Sequence, residues 1–335
     1  RTHHGHGTVG VISYCPASVS DLAGDTETPD TVLADSEPHR PHRRLALSPS
    51  RAGDFKQCPL LYRFRAIDRL PESPTRAQMR GTLVHAVLER LFGLPAAERS
   101  PQVAKSLGQP LWNELCAQVP GLVDELFTGA DDPELSDWLA SVDPLLDTYF
   151  QLEDPRRIEP AARELLVETE LASGVLLRGY LDRLDITPDG KIRIVDYKTG
   201  ATPGPGTEGQ ALFQMKCYAL AVLRLRGVVP AQLCLLYLAA GEVLSYTPDE
   251  AELLRFERIL LAIWEAILAA GHTGEFQPNR GAHCTWCPHR SRCPSWGGDP
   301  PPYPGWPRDG DTDTAPLRPA DPTSTPPPGR NGSRW

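Results

Sequence analysis

The alternation of apolar and polar residues predicts β-strands in the middle of the chain. Residues 175–187 and 191–198 follow the two-residue period of a strand, and Pro-Asp-Gly at 188–190 is a typical turn between them. Residues 164–172 alternate in the same way and lead into this hairpin. If the turn is 188–190, Thr187 faces Lys191 and, counting back, Asp182 faces Asp196. The pattern therefore predicts a three-stranded meander with two carboxylates side by side.

Helical periodicity precedes the meander. Ser48 and Pro49 suit an N-cap and the first helical position, and they open a short predicted helix that runs toward Cys58-Pro59. An apolar stripe over residues 78–92 predicts a second helix. Residues 103–150 contain several helical pieces, which we expect to be broken by Pro110, Pro120, Pro133 and Pro144.

Helices and strands also follow the meander. Residues 210–226 are rich in Ala and Leu and predict a helix, and residues 232–239 and 242–246 form a strand pair around Gly241. Thr247-Pro-Asp-Glu250 predicts a capping box for a long helix that ends near Gly271. This order of elements indicates an α/β fold with a mixed central β-sheet flanked by helices.

Composition favours one large folded domain between two polar tails. The chain has 335 residues, of which 40% are hydrophobic, enough for a substantial core. Residues 1–45 and the Pro-rich residues 297–335 lack a periodic apolar pattern, so we expect both tails to be disordered and residues 46–296 to fold. No apolar stretch approaches the roughly 20 residues that span a bilayer. The first residues do not resemble a secretory signal. We therefore expect a cytoplasmic protein without a membrane partner.

Charge gives a mixed indication about nucleic acid. The formal net charge of −9 does not favour a polyanionic partner. Residues 51–90, however, contain eight Arg or Lys against four Asp or Glu, and local fields matter more than the total. A set of basic residues could follow a nucleic-acid backbone, or could equally be a solvated helical face: Arg51, Lys56, Arg63, Arg65, Arg69, Arg76 and Arg80.

The hairpin carboxylates are candidates for metal chemistry. Directly opposed carboxylates need a proton, a cationic side chain or a metal ion between them. Lys198 lies two residues beyond Asp196 and so projects from the same face of the sheet. Two Asp residues and a Lys on one face suit Mg²⁺-assisted attack on a phosphodiester. The alternative is ordinary surface Asp and Lys residues, and a one-residue slip in register would separate the two acids.

The eight cysteines fall into two kinds. Cys284, Cys287 and Cys293 have the spacing C-x₂-C-x₅-C, which predicts a metal site that lacks one ligand. Cys58 is the leading candidate for the fourth ligand, with His283 and His289 as rivals, and the site could hold Zn²⁺ or an iron–sulfur cluster. The remaining thiols in apolar segments are expected to be small buried residues: Cys116, Cys217 and Cys234.

Several motifs follow one another along the chain: Leu47-Ser-Pro-Ser-Arg51, Cys58-Pro59, Gly81-Thr-Leu-Val-His85, Gly179-Tyr-Leu-Asp182, Ile194-Val-Asp-Tyr-Lys-Thr-Gly200, Gln214-Met-Lys-Cys-Tyr218 and the terminal cysteines. This order resembles the RecB-family nucleases of the PD-(D/E)XK superfamily, in the branch with an iron–sulfur cluster. That branch includes AddB-type nuclease subunits and CRISPR-associated adaptation nucleases. The resemblance covers residues 46–296 and implies a restriction-endonuclease-like core with a cysteine-cluster staple.

The resemblance also implies roles for individual residues. His85, Asp182, Asp196 and the backbone carbonyl of Tyr197 would bind Mg²⁺ or Mn²⁺, and Lys198 would orient the attacking water. Gln214 and Tyr218, which share a helical face at i and i+4, would position the substrate. The resemblance implies that a 4Fe-4S cluster is held by Cys58, Cys284, Cys287 and Cys293.

The expected activity is a metal-dependent deoxyribonuclease, with exonuclease action favoured over endonuclease action. Its partner would be DNA that is single-stranded or has free ends, in DNA repair or recombination. The sequence contains no Walker A motif, so a helicase or repair partner would act in trans. One alternative is a non-catalytic DNA-binding or complex-assembly protein that keeps the fold and the cluster. Another is a zinc protein whose acidic residues are incidental.

Overall fold

The computed structural model of the chain describes residues 46–202 and 208–307. The predicted tail at residues 1–45 lies outside the described residues, as does the second predicted tail from residue 308 onward. Residues 297–307 are described, and within them the Tyr303 hydroxyl donates a hydrogen bond to the Gly271 carbonyl at 2.7 Å. The Trp306 ring also packs against Trp264. The packed chain therefore continues past residue 296, where the sequence analysis placed the start of the tail.

Capping residues set the first helices. A short strand β1 (Ala46–Leu47) leads to α1 (Pro49–Gln57), and then to α2 (Pro59–Tyr62), which continues into a π-helical turn, Arg63–Ile67. The predicted N-cap is present, since the Ser48 side chain accepts a hydrogen bond from the Arg51 amide at 3.2 Å. The next helix, α3 (Arg76–Phe92), begins two residues before the predicted start because Thr75 and Gln78 form a capping box.

Five shorter helices occupy residues 101–152: α4 (Pro101–Ser106), α5 (Gly108–Gln118), α6 (Leu122–Leu126), α7 (Pro133–Ala140) and α8 (Asp143–Leu152). The expectation that prolines break this region is correct only for Pro120, which lies between α5 and α6. Pro133 and Pro144 instead begin helices, and Pro110 lies in the first turn of α5. A proline at these positions gives up an amide that the helix would leave unpaired anyway.

A six-stranded mixed sheet forms the centre of the molecule, which confirms the predicted fold class. Its remaining strands are β2 (Ala162–Glu170), β3 (Leu176–Ile186), β4 (Ile192–Lys198), β5 (Gln232–Tyr237) and β6 (Glu242–Tyr246). Strands β2, β3 and β4 form the predicted antiparallel meander. Strand β5 pairs in parallel with β4, because α9 (Glu208–Arg226) provides the crossover between them.

The register of the hairpin is the one predicted. The Thr187 amide donates to the Lys191 carbonyl at 2.9 Å, and Arg183 pairs with Val195. The described ladder ends at this pair, directly before Asp182 on β3 and Asp196 on β4. The turn chemistry of residues 188–190 was therefore sufficient to place the two acids on neighbouring strands.

Apolar residues pack on both faces of the sheet. Ile194 and Leu235 belong to a core shared with α1, α2, α9 and α10 (Glu250–Thr273), whereas Val195 and Leu236 belong to a core shared with α3 to α8. Adjacent residues of one strand thus enter opposite cores, as the two-residue period of a strand requires. The polar side chains described below lie where two central strands of this sheet, β3 and β4, separate.

The last long helix begins and ends differently from the prediction. Asp249, rather than Thr247, caps α10, with its side chain accepting a hydrogen bond from the Glu252 amide at 2.7 Å. The helix passes Gly271 and ends at Gly274, which has a left-handed backbone. Gly271 is required for packing instead, because a Cβ there would lie 2.0 Å from the Trp306 ring. Neither α10 nor another helix in the described ranges is long and apolar enough to cross a membrane.

Candidate active site

The two central strands part at the position of the predicted acids. One edge of β3 pairs with β2, and the other pairs with β1 at Leu176 and Leu177 and with β4 from Arg183 onward. On this second edge, the described ladder leaves residues 178–182 without a strand partner. At this position the Asp182 carboxylate, instead of a backbone carbonyl of β3, accepts a hydrogen bond from the backbone amide of Tyr197 at 2.8 Å. A side chain thus replaces a backbone acceptor where the strands separate.

His85 approaches this opening from α3. Its Nε2 lies 2.9 Å from the carbonyl oxygen of Tyr197, and its Nδ1 lies 3.3 Å from Oδ2 of Asp182. Three residues of the predicted ligand set, which are far apart in sequence, therefore meet at one place. Asp182 is buried, with 4% of its surface exposed. Such a carboxylate is costly to keep charged unless a cation or hydrogen-bond donors compensate it.

Asp196 begins a connected row of polar groups. The Lys198 ammonium lies 2.7 Å from Oδ2 of Asp196 and donates to the Gln214 side-chain carbonyl at 2.9 Å. The Gln214 amide nitrogen in turn donates to the Tyr218 hydroxyl at 2.9 Å. The predicted face of Gln214 and Tyr218 thus lies beside the predicted acid and lysine. Gly179 makes room for this row, since a Cβ there would lie 2.7 Å from the Tyr218 ring.

Burial and charge shift the protonation of this row. Burial raises the pKa of Asp196, and the neighbouring Asp182 adds to the rise, whereas Lys198 and His85 oppose it. Burial alone would lower the pKa of Lys198, but the Asp196 carboxylate outweighs burial and raises it. Lys198 is therefore held in its charged form. Burial is the largest cause of the raised pKa of Asp196, so its carboxylate is costly to keep charged without nearby positive charge.

Glu164 is a residue of this cluster that the sequence analysis did not single out. It lies on β2 at the register position opposite Asp182, and its Oε1 is 3.9 Å from Nδ1 of His85. The ligand atoms of His85, Glu164 and Asp182 all lie within 4.8 Å of one another. Counting back from a turn at residues 172–174 would have placed Glu164 opposite Asp182. Alternation along the strand gave no such indication.

This donor set fits a divalent cation. Mg²⁺ takes oxygen ligands at 2.0–2.1 Å in octahedral geometry, so neighbouring ligands are about 3 Å apart. The separation of 3.3 Å between His85 and Asp182 is close to this spacing, and 3.9 Å between His85 and Glu164 needs a small movement. Asp196 contacts Lys198 and is not part of the three-residue group. The cluster therefore differs from the expected ligand set by including Glu164.

A buried arginine supports the two strands behind the site. Arg183 has no exposed surface and donates to Glu153 at 2.8 Å, to Asp185 at 3.0 Å and to the Tyr197 hydroxyl at 2.8 Å. It ties β3 to β4 and to the chain that follows α8. The sequence gave no indication of this role, because Glu153 lies 30 residues away and a strand arginine is more often exposed.

The four predicted cluster cysteines line one small cavity. The backbone amide nitrogen of Asn279 lies 3.4 Å from the sulfur of Cys58, and the backbone amide nitrogen of Gly281 lies 3.5 Å from the sulfur of Cys284. Amide groups directed at sulfur are typical of metal-bound thiolates. The alternative ligands His283 and His289 also line the cavity. One ring nitrogen of His283 contacts the backbone carbonyl of Asn279, and one ring nitrogen of His289 contacts the Glu72 carboxylate.

The scattered cysteines are separate from this cavity. Cys217 and Cys234 are buried, as expected, whereas Cys116 is only half-buried. Burial raises the pKa of all three thiols.

The basic residues of the first helices do not form a continuous open row. Arg63 is paired with Asp68 at 3.0 Å, and Arg76 with Glu134 at 2.6 Å. Arg65 contacts both Asp54 and Glu72. Three of the seven basic residues are therefore paired with carboxylates of the protein itself, and a role of the set along a nucleic-acid backbone stays a prediction.

A groove adjoins the polar row. It has a volume of about 380 Å³ and lies between the start of α1, β3 and α9. Its walls carry hydroxyl, aromatic, amide and guanidinium groups, from Ser48, Arg65, Tyr180, Phe213, Gln214 and Tyr218. Gln214 and Tyr218 thus belong both to the groove and to the chain of hydrogen bonds that reaches Lys198.

Comparison with known proteins places these features in a family. The model of the PD-(D/E)XK nuclease superfamily matches residues 46–294. The Gene 69 protein of Mycobacterium phage D29 is 25% identical over 223 residues, which is 54% of this chain and 70% of that protein. The Gene 69 protein of phage L5 is 25% identical over 218 residues, 52% of this chain and 69% of that protein.

Among solved structures, a crystal structure named "Putative exonuclease" from Eubacterium rectale is similar to the chain. It has a TM-score of 0.48 and 14% identity, covering 77% of this chain and 94% of the other.

Proposed function

The chain belongs to the PD-(D/E)XK nuclease superfamily, and we propose that it is a Mg²⁺- or Mn²⁺-dependent deoxyribonuclease of the RecB family. The observation that carries the proposal is the site where β3 and β4 part. There His85 lies 3.3 Å from the buried Asp182, and on the neighbouring strand Lys198 lies 2.7 Å from the buried Asp196. This is the chemistry that hydrolysis of a phosphodiester requires: a place for a divalent cation and a fixed positive charge beside it.

The cation, when bound, would polarise the phosphate and lower the pKa of a water ligand. His85 and Asp182 would hold it, with Asp196 beside them. Side chains of the protein would stabilise the charge on the phosphate and hold the site in position. Lys198 remains protonated because of Asp196, so its ammonium can neutralise charge that develops on the phosphate. Gln214 fixes the position of Lys198 and is itself fixed by Tyr218, which keeps the ammonium in place before substrate arrives.

The groove supports a single strand as the substrate. The half-buried Tyr180 lines the groove, and bases of any sequence can stack on aromatic side chains. We therefore propose single-stranded DNA, or a DNA end that frays, as the substrate and exonuclease action as the mode. The resemblance of the motifs adds repair or recombination as the setting, with any helicase supplied in trans.

We also propose that Cys58, Cys284, Cys287 and Cys293 hold a 4Fe-4S cluster. Support comes from the shared cavity and from backbone amides directed at two of the sulfurs. Purification without oxygen tests the proposal: brown absorbance with four iron and four sulfide per chain is expected. A colourless protein with one Zn²⁺ would contradict it.

Cleavage of end-labelled DNA tests the nuclease assignment. The anaerobically purified protein should degrade single-stranded DNA with Mg²⁺ or Mn²⁺ and be inactive with chelator. Asp196→Ala should reduce cleavage by at least about 100-fold while DNA binding persists, because the variant removes a charge needed only for the reaction. Cleavage that continues in chelator, or at the wild-type rate in the variant, would remove the assignment.

A further inference from the structure

We propose that Glu164 is a ligand of the catalytic cation, which it would bind together with Nδ1 of His85 and Oδ2 of Asp182. The inference rests on the proposed metal-dependent activity and adds a residue to it. None of the sequence motifs includes Glu164. The evidence consists of the positions of three ligand atoms, the hydrogen-bond capacity of the imidazole and the local backbone of β2.

The ligand atoms surround a common point. Nδ1 of His85 is 3.3 Å from Asp182 and 3.9 Å from Glu164, and the three ligand atoms are within 4.8 Å of one another. The three side chains come from α3, β2 and β3, so the group is three-sided rather than a row on one strand. The Glu164 side chain is only 7% exposed, so its carboxylate is largely withdrawn from water. Two such carboxylates this close repel each other unless positive charge lies between them.

The imidazole of His85 gives an independent argument. Both of its nitrogens face oxygen acceptors: Nε2 faces the Tyr197 carbonyl at 2.9 Å, and Nδ1 faces Asp182 and Glu164. A neutral imidazole carries one N–H, so it can satisfy one side only. A cation bound at Nδ1 would satisfy the other side. Histidine ligands commonly donate their second N–H to a backbone carbonyl, which here assigns the proton to Nε2 and the metal to Nδ1.

In this arrangement the Tyr197 carbonyl orients His85 instead of binding the cation directly. The carbonyl was expected as a ligand from the resemblance to RecB-family nucleases. The Tyr197 amide meanwhile donates to Oδ2 of Asp182. One residue of β4 therefore fixes two of the three proposed ligands, His85 through its carbonyl and Asp182 through its amide.

The backbone at Glu164 is consistent with a special role. Its φ is 43°, one of two positive values among the described residues other than glycine. Ladder pairs form at Arg163–Arg183 and Leu165–Leu181, and the pair between them, Glu164–Asp182, is absent from the described ladder. Left-handed backbone in a residue other than glycine is unfavourable and persists where the surroundings enforce it. Here it accompanies a carboxylate near His85 rather than a regular strand position.

Calorimetric titration of the intact, anaerobically purified protein with Mn²⁺ tests the inference. Glu164→Gln should weaken Mn²⁺ binding by at least about 10-fold, since loss of even indirect partners of metal ligands has effects of this size. The matched control is Glu168→Gln, the same change on the same strand, at a carboxylate that pairs with Arg178 at the surface. The control should bind Mn²⁺ like the wild type.

Thermal unfolding with chelator and with Mn²⁺ gives a second readout. In chelator, a single cooperative unfolding transition of Glu164→Gln shows that the variant is folded. Its stabilisation by Mn²⁺ should be smaller than that of the wild type. Glu164→Gly, which suits a left-handed backbone, is a second variant with the same expected loss of binding and serves if the first does not fold.

The outcomes separate the two proposals. If the wild type binds no Mn²⁺, the metal-dependent function itself fails, and the assignment of Glu164 fails with it. If the wild type binds Mn²⁺ and both Glu164 variants bind it equally well, the nuclease proposal stands and Glu164 is not a ligand. Weaker binding in the Glu164 variants but not in Glu168→Gln is the result that supports the inference.

Discussion

Single charged residues in this protein depend on partners that lie far away in sequence. Arg183 is fully buried and is neutralised by Glu153 and Asp185, with Arg193 also contacting Asp185 at 2.7 Å. A buried ion pair adds little net stability, but removing one member leaves the other charge uncompensated. The stability of this buried charge cluster therefore depends on keeping Arg183 together with Glu153 and Asp185.

We predict that Arg183→Met destabilises the protein by about 3 kcal/mol, because two acids lose their main cation in a buried setting. The expected value is at the lower end for such changes because Arg193 can compensate part of the charge. Arg178→Met is the control: Arg178 pairs with Glu168 near the surface at 3.5 Å, and such pairs contribute under about 1 kcal/mol. Urea unfolding of both variants checks the prediction, which equal destabilisation would contradict.

At the residue scale, the sequence predicted the groups whose position follows from a short turn. The 188–190 turn fixed the register, and with it the neighbouring positions of Asp182 and Asp196 and the common face of Asp196 and Lys198. Glu164 and Arg183 were not predicted. The position of Glu164 depends on a left-handed backbone within a strand, and the burial of Arg183 depends on Glu153, a partner beyond the end of α8. Neither feature leaves a periodic pattern in the sequence.

At the scale of elements, a chain of ion pairs connects the cysteine segment to the groove. His289 contacts Glu72 at 2.8 Å, Glu72 accepts from Arg65 at 2.7 Å, and Arg65 contacts Asp54 at 2.6 Å. Asp54 and Arg65 line the groove, and His289 lies between two of the cluster cysteines in sequence. The cysteine site and the wall of the groove are thus parts of one hydrogen-bonded unit.

We predict a pH dependence for the stabilisation that Glu72 provides. Burial would raise the pKa of Glu72, but its hydrogen bonds and charge interactions with Arg65 and His289 outweigh burial and lower it. A lowered pKa in the folded state stabilises the protein above the unfolded value, about 4.3 for Glu, and the gain is lost as pH falls through the folded value.

Urea unfolding from pH 7 to pH 4, without oxygen, measures this effect through Glu72→Gln. The free energy of unfolding of the wild type should exceed that of the variant by about 1 kcal/mol near pH 7. The difference should shrink as the pH falls below about 4.5, because the wild-type carboxyl also becomes neutral. A difference that stays constant as the pH falls would show that the network does not depend on the Glu72 charge.

At the element scale, the sequence was sufficient to predict the order of strands and helices. It was not sufficient to predict where several helices begin and end. Proline was expected to break helices in residues 103–150, yet Pro133 and Pro144 begin them. Gly271 was expected to end α10, yet it provides space for Trp306. Both residues are compatible with more than one local role, and tertiary neighbours decide which role applies.

At the scale of the whole molecule, the cysteine site joins the two ends of the folded chain. Cys58 follows α1, whereas Cys284, Cys287 and Cys293 follow α10, and all four line one cavity. The entropy of closing a loop grows only slowly with its length, so a link over more than 200 residues is feasible. Loss of the proposed cluster should therefore affect the stability of both ends.

We predict that Cys58→Ser abolishes the brown cluster absorbance and lowers the unfolding temperature by several degrees, because the bound cluster favours the folded state. Cys116→Ser is the control: this thiol is half-buried and lies away from the cavity, so colour and unfolding temperature should change little. Absorbance spectra and thermal unfolding of anaerobic samples check both expectations. An unchanged cluster in Cys58→Ser would exclude Cys58 as a ligand.

The central claim for the whole molecule is that a divalent cation binds where β3 and β4 part. Anomalous diffraction from crystals grown with Mn²⁺ tests it most directly. The account predicts an anomalous peak within about 2.5 Å of both His85 and Asp182. Crystals that contain Mn²⁺ at another place, with no peak between these two residues, would contradict it.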